Sequence, residues 1–159
     1  MAQQMKTNEK MILLHQKFAD SEELLTKLAG LAKDQGLVDD TYLPALVARE
    51  KDFPTGLEFP INISISHIET GVKRSFVCIT TLDEPVMFKS MDLSGDELQV
   101  QVAFVFGIVD PKSQVEVLSA FARAFANEGA IRSLLEAETE KELLDKLNAM
   151  LDGMLAVED

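Results

Sequence analysis

The run from Leu98 to Val109, LQVQVAFVFGIV, narrows the folds open to this chain more than any other stretch. It alternates apolar and polar residues at first and then becomes almost wholly apolar, the pattern of a central strand covered on both faces. Asp110 and Pro111 follow at once: a carboxylate able to cap a helix, then a proline suited to the first helical position. A buried strand passing directly into a capped helix is a unit of layered α/β folds. Val115, Leu118, Ala122 and Phe125 are the expected inward face of that helix.

The rest of the chain supplies elements to match. KMILLH, from Lys10 to His15, reads as a short strand. Asp20 can cap a helix with Glu23 in the reciprocal position, and Leu24, Leu28, Leu31 and Ala32 recur at helical spacing up to Gly36. A second helix starts after Asp39 and Asp40, tolerates Pro44 in its first turn and ends near Glu50. Phe53 to Gly56 then break the periodicity as a turn. In INISISH, Ile61, Ile63 and Ile65 face one way and Asn62, Ser64 and Ser66 the other, so a strand with one buried face is expected. His67 ends it, on the apolar side of the count. After a Gly71 turn, SFVCITTL is a further strand, and Pro85 with VMF reads as a brief edge element. Two closing helices span roughly Ala130–Glu136 and Thr139–Met154. The second opens on a capping box of Thr139 and Glu142, with Leu143, Leu147, Met150 and Met154 as its stripe.

These elements predict a single-domain α/β sandwich, a mixed β-sheet flanked by helices on both faces. One domain is expected over 1–159, with its core at about 10–152 between short polar termini.

Composition excludes several function classes. A formal charge of -12 argues against nucleic acid or an anionic membrane as partner, since both are bound chiefly through Lys and Arg. A single cysteine, Cys78, forbids an internal disulfide, and two histidines give no ligand set for a structural zinc. The start is polar and no apolar run reaches signal or membrane-spanning length, so a cytoplasmic address is expected. Ser64 and Ser66 lack the glycines of a hydrolase elbow, and the phosphate-cradling GxxxxGK pattern is absent. Cys78, in mid-strand, reads as a small buried hydrophobe. The acids Asp39 and Asp40 and the run EAETEKE read as solvated surface and helix-start charge.

The candidate site lies between Arg49 and His67, in REKDFPTGLEFPINISISH. A neutral imidazole at a strand end can accept a phosphoryl group, because its ordinary pKa of about 6.5 leaves it largely unprotonated at cellular pH. Arg49, Thr55 and the backbone amide after Thr55 are donors of the kind that phosphoryl oxygens require. The residues alone equally allow a structural His67 that completes a hydrogen bond.

REKDFPTG followed by ISISH resembles the signature of the enzyme IIA domains of the fructose/mannitol type in the bacterial sugar phosphotransferase system. There an RE pair, a Ser/Thr-Gly pair and an Ile-Pro-His end recur in this order. The resemblance extends to the helix SEELLTKLAGLAKDQGLV, the strand AFVFGIVDP and the helix beyond it. It implies the family's mixed sheet flanked by helices, and a phosphotransferase component that works without metal, nucleotide or other cofactor. The phosphocarrier protein HPr would give the phosphoryl group, and a cysteine on enzyme IIB would receive it, with enzyme IIC in the membrane. His67 would be the phosphorylated residue, Arg49 the arginine beside it, and Thr55 and Gly56 the matching turn.

Two positions depart from the pattern. Gln114 stands where many relatives carry a second histidine, which is similar to the galactitol-type branch and implies galactitol or a related sugar. Its amide can donate to a phosphate oxygen but carries no charge, and it would lie in the first turn of its helix. Ser66 replaces the usual proline before the histidine, so either the presentation of His67 loosens or the serine hydroxyl compensates by hydrogen bonding locally. The alternative function is a regulatory or degenerate enzyme IIA that binds a target protein according to its phosphorylation state. His15 lies outside the motif and reads as structural.

Overall fold

The computed structural model describes residues 4–151 and 153–158. Residues 1–3 of the expected polar terminus, Asp152 and Asp159 lie outside it. In chain order the elements are β1 (Met5–Thr7), a 3₁₀ turn (Glu9–Met11), β2 (Ile12–Gln16), α1 (Ser21–Asp34) and α2 (Tyr42–Asp52). The middle of the chain forms β3 (Gly56–Leu57), β4 (Ile63–Ile68), β5 (Phe76–Lys89) and β6 (Glu97–Gly107). It closes with α3 (Pro111–Phe125), α4 (Glu128–Leu135), α5 (Glu140–Met150) and β7 (Leu155–Val157).

One mixed sheet runs in the order β3-β4-β6-β5-β1-β7, with β2 also on β5. β4 and β6 are parallel, β5 is antiparallel to β6, and β1 and β2 run parallel to β5. Leu24, Leu28, Tyr42 and Leu46 of α1 and α2 pack on Phe76, Cys78 and Val105 of one face. Phe121, Phe125, Ile131 and Leu143 of α3, α4 and α5 pack on Ile65, Val77, Phe104 and Phe106 of the other. The expected α/β sandwich is therefore the observed one. Each fully buried Leu or Phe contributes on the order of 1.5–3 kcal/mol, so the two layers are the main source of stability. Between them, the buried Tyr42 hydroxyl donates to the Phe106 carbonyl at 2.7 Å.

The caps fall where their residues foretold. Asp20, Asp110 and Thr139 each accept a backbone N–H of the first turn beyond them, from Glu23, Lys112 and Glu142. Gly107 is required by packing: a Cβ there would collide with the Phe76 ring.

Six expectations are corrected. The polar start contributes β1, whose Met5 and Thr7 are buried and which pairs with β7. Glu9–Met11 is a 3₁₀ turn rather than strand, so β2 begins at Ile12. The helix from Thr139 stops at Met150, and the turn through Gly153, at φ +78°, redirects the chain into β7. Pro85 does not begin an edge element but sits inside β5, where the register with β6 shifts between Thr81 and Val86; a bulge accommodates a residue with no N–H to give the ladder. On α3 the inward face is Val117, Phe121 and Phe125, and Val115 is 72% exposed. β4 differs as well: both its faces are buried, because α2 covers Ser64 and Ser66.

Candidate functional site

His67 lies near the C-terminal end of β4, paired with Phe106 of β6. Alternation along the strand turns it toward the α3 side with Ile63 and Ile65, and turns Ser64 and Ser66 toward α2. It lines a cavity of about 250 Å³ together with Arg49, Thr55 and Gln114. Phe53 and Pro54 of the loop after α2, Met91 and Leu93 of the loop between β5 and β6, and Leu118 of α3 complete the walls.

The ring is buried, at 6% exposure, and its Nδ1 lies 2.6 Å from the Ile65 carbonyl oxygen. A carbonyl can only accept, so Nδ1 carries the proton and Nε2 of the neutral ring keeps a lone pair. Burial holds the imidazole below its ordinary pKa of 6.5, the Ile65 bond opposes that shift, and the Arg49 guanidinium adds to it. The site therefore favours a neutral imidazole next to a fixed cation.

Arg49 occupies the last turn of α2, with its guanidinium carbon 5.2 Å from the centre of the Phe53 ring. Such stacking limits where the fork can go while leaving its N–H groups free to donate. Gln114 enters from the first turn of α3, where backbone amides and the helix dipole also favour an anion. Among the described residues, no cluster of three or more His, Cys, Asp or Glu could hold a metal ion.

Arg49, Thr55, His67 and Gln114 thus meet in one cavity; Gly56 and Ser66 do not line it. Gly56 belongs to β3, its carbonyl accepts from Met91 N at 2.8 Å, and a Cβ on it would stand 2.7 Å from the Lys89 carbonyl oxygen. Ser66 points the other way and donates to Glu50 Oε1 at 2.6 Å. Thr55 also bonds to Glu50, with its hydroxyl on Oε1 at 2.7 Å and its amide on Oε2 at 2.8 Å, so neither group is left to serve the cavity. The polar atoms of Thr55 and Ser66 are therefore turned to Glu50, Ser66 bonding locally as expected, and Gly56 lies in β3.

Sequence pattern alone assigns no role to Glu50, although it is half of the RE pair, nor to the apolar rim, in which Phe53, Met91 and Leu93 are 56%, 37% and 65% exposed. Two large apolar residues in a short polar loop, Met91 and Leu93 in MDLSGD, are the available signal.

Residues 5–150 match the family described as "Phosphoenolpyruvate-dependent sugar phosphotransferase system, EIIA 2". The chain belongs to this family. As an EIIA chain it is a phosphotransferase component that transfers phosphoryl groups. It is 32% identical over 105 residues to the galactitol-specific EIIA component of Escherichia coli K12, covering 64% of this chain and 68% of that one. It is 31% identical over 149 residues to the fructose-specific EIIA component of Haloferax volcanii, covering 89% and 92%. Among solved structures, the fold is similar to that of the mannitol enzyme IIA of E. coli in complex with phosphorylated enzyme IIB. That similarity has a TM-score of 0.71 at 20% identity, over 91% of this chain and 95% of the other.

Proposed function

We propose that this EIIA chain carries the phosphoryl group on Nε2 of His67, taking it from HPr and passing it to a cysteine of enzyme IIB during uptake of galactitol or a related sugar. The observation that carries this reading is the bond from His67 Nδ1 to the Ile65 carbonyl, which leaves Nε2 as the lone-pair nitrogen of a ring in a cavity shared with Arg49. In the first step the Nε2 lone pair attacks phosphorus on the donor's phosphohistidine, and the breaking P–N bond returns its electron pair to the donor ring. In the second, the partner thiolate attacks the same phosphorus and the pair of the Nε2–P bond returns to His67. Nδ1 keeps its proton throughout, so its bond to Ile65 helps to stabilise the charge that the ring acquires on phosphorylation.

Arg49 would neutralise the equatorial oxygens and Gln114 would donate one further hydrogen bond from its amide. The exposed Phe53, Met91 and Leu93 suit docking of partner proteins around the cavity, since apolar side chains of this size clustered at one mouth mark an interaction surface. Gln114 and the galactitol-specific relative favour galactitol or a similar sugar; the fructose-specific relative aligns over more of the chain.

The test is intact-protein mass at neutral or alkaline pH after incubation with phosphoenolpyruvate, enzyme I and HPr, in parallel with His67→Ala. One acid-labile phosphoryl adduct on the wild type, absent from the variant and discharged by the cognate enzyme IIB, is the expected result. Phosphorylation that no enzyme IIB discharges would favour the regulatory alternative. An adduct that persists on His67→Ala would overturn the site.

A further inference from the structure

We propose that Glu50 is a positioning residue for the His67 site, clamping the Thr55 turn to β4 through Ser66; the proposal rests on the carrier reading above. One carboxylate collects three donors from two segments: Oε1 takes the Thr55 hydroxyl at 2.7 Å and the Ser66 hydroxyl at 2.6 Å, and Oε2 takes the Thr55 amide at 2.8 Å. The two hydroxyl oxygens lie 3.1 Å apart, close enough for the three side chains to move as one unit. Thr55 and Ser66 are 3% and 1% exposed, so water does not compete well for these bonds.

The sequence places each partner beside a residue of the cavity. Glu50 follows Arg49 in the last turn of α2, and Ser66 precedes His67 on β4. Successive strand residues face opposite ways, so His67 reaches the cavity while Ser66 reaches back to α2. Successive helical residues are also turned apart, which lets Arg49 line the cavity while Glu50 takes the clamp. Thr55 belongs to both, lining the cavity with its body and bonding to Glu50 with its polar atoms. The clamp therefore fixes the spacing between the helix end that carries Arg49 and the strand end that carries His67.

The bonds are charge-assisted when Glu50 is ionised, which makes them shorter and stronger than neutral ones. Removing Ser66's hydroxyl leaves the carboxylate bonded to Thr55 alone and releases the strand end on its α2 side. The Nδ1 bond to Ile65, one residue before Ser66, is then the remaining local restraint on the ring.

The test uses Ser66→Ala and Glu50→Gln with two readouts. The first is the pH titration of the His67 ring by NMR on the protein alone; the second is single-turnover transfer from phospho-HPr. With the clamp released, the His67 midpoint should rise toward 6.5. The transfer rate should fall about tenfold or more at an unchanged half-saturating donor concentration, the mark of misplacement rather than lost docking. Leu143→Val, which loosens the core under α5, should lower Tm without moving either readout. Variants that lower Tm yet keep the wild-type titration and rate would reduce the clamp to a stability element and overturn the proposal. If Glu50→Gln does not fold, Ser66→Ala, which removes one hydroxyl, still decides the question. If the wild type takes no phosphoryl group the carrier reading fails, and the ring titration still reports on the clamp.

Discussion

His67 Nδ1 and the Ile65 carbonyl oxygen lie 2.6 Å apart on one strand, two residues from each other in sequence. This local bond leaves Nε2 as the lone-pair nitrogen of the neutral ring without help from any other part of the protein. On the proposed carrier reading, a partner needs only to present phosphorus to Nε2, the tautomer is prepared before any partner arrives, and no proton has to move within the site during transfer.

Phosphoryl acceptance should be insensitive to pH above the ordinary histidine value and decline only well below it. Burial foremost, with Arg49 adding to it, holds His67 below 6.5, so the neutral ring persists into mildly acidic buffer. The initial rate of adduct formation across this range checks the point. An acid limb centred above 6.5 would contradict the neutral, buried imidazole.

Arg49→Ala should slow phosphoryl transfer by about a hundredfold, the usual scale for removing one fixed donor from a developing charge. The same variant should raise the His67 pKa, because Arg49 is one of the groups that lowers it. Arg49→Lys restores the charge but not the planar fork, nor the same stacking on Phe53, and should recover the pKa more fully than the rate. Equal recovery of both by lysine would show that charge alone is needed.

Leu93 adopts φ +63°, a left-handed conformation that branched side chains rarely take, and it is 65% exposed at the cavity mouth. The turn around it is tied by Leu93 N to the Ser90 carbonyl at 3.2 Å, Ser94 N to Asp92 Oδ1 at 2.9 Å and Ser90 N to the Asp96 carbonyl at 2.8 Å. Asparagine tolerates this backbone better than leucine, so Leu93→Asn should leave Tm unchanged or slightly higher. Its half-saturating concentration for phospho-HPr should rise several-fold if the apolar rim is a docking surface. A clear drop in Tm would mean that the leucine side chain stabilises the loop instead.

Features that a local pattern decides were legible in the sequence. Asp20, Asp110 and Thr139 cap their helices as their spacing required, and the buried run through Phe104 and Phe106 became the central β6. Long-range pairing was not legible. Met5–Thr7 is too short and polar to announce a strand, and it becomes one only because β5 and β7 flank it. The serines of β4 looked solvent-facing by alternation, because nothing local reveals that α2 covers them. Arg49 and His67 followed from the motif, whereas Glu50's three bonds depend on the distance between α2 and β4, which only the folded chain sets.

Glu50 and His67 should also give stability opposite dependences on pH. Burial foremost raises the Glu50 pKa above 4.5, an effect opposed by the bonds from Ser66 and Thr55 and by Arg49. The folded state then keeps this proton where the unfolded chain has lost it, so the Glu50 contribution is full below 4.5 and declines as pH rises through the folded value. His67 works the other way: its folded pKa lies below 6.5, so its contribution is full above that value and is lost as pH falls through the folded one. Urea melts of wild type, Glu50→Gln and His67→Ala between about pH 4 and 8 separate the two. The stability of Glu50→Gln relative to wild type should climb with pH above 4.5, and that of His67→Ala relative to wild type should fall as pH approaches 6.5. Differences that stay flat across this range would mean that neither group's ionisation is coupled to folding, and the account of the site as a buried neutral imidazole backed by a partly buried carboxylate would fail with them.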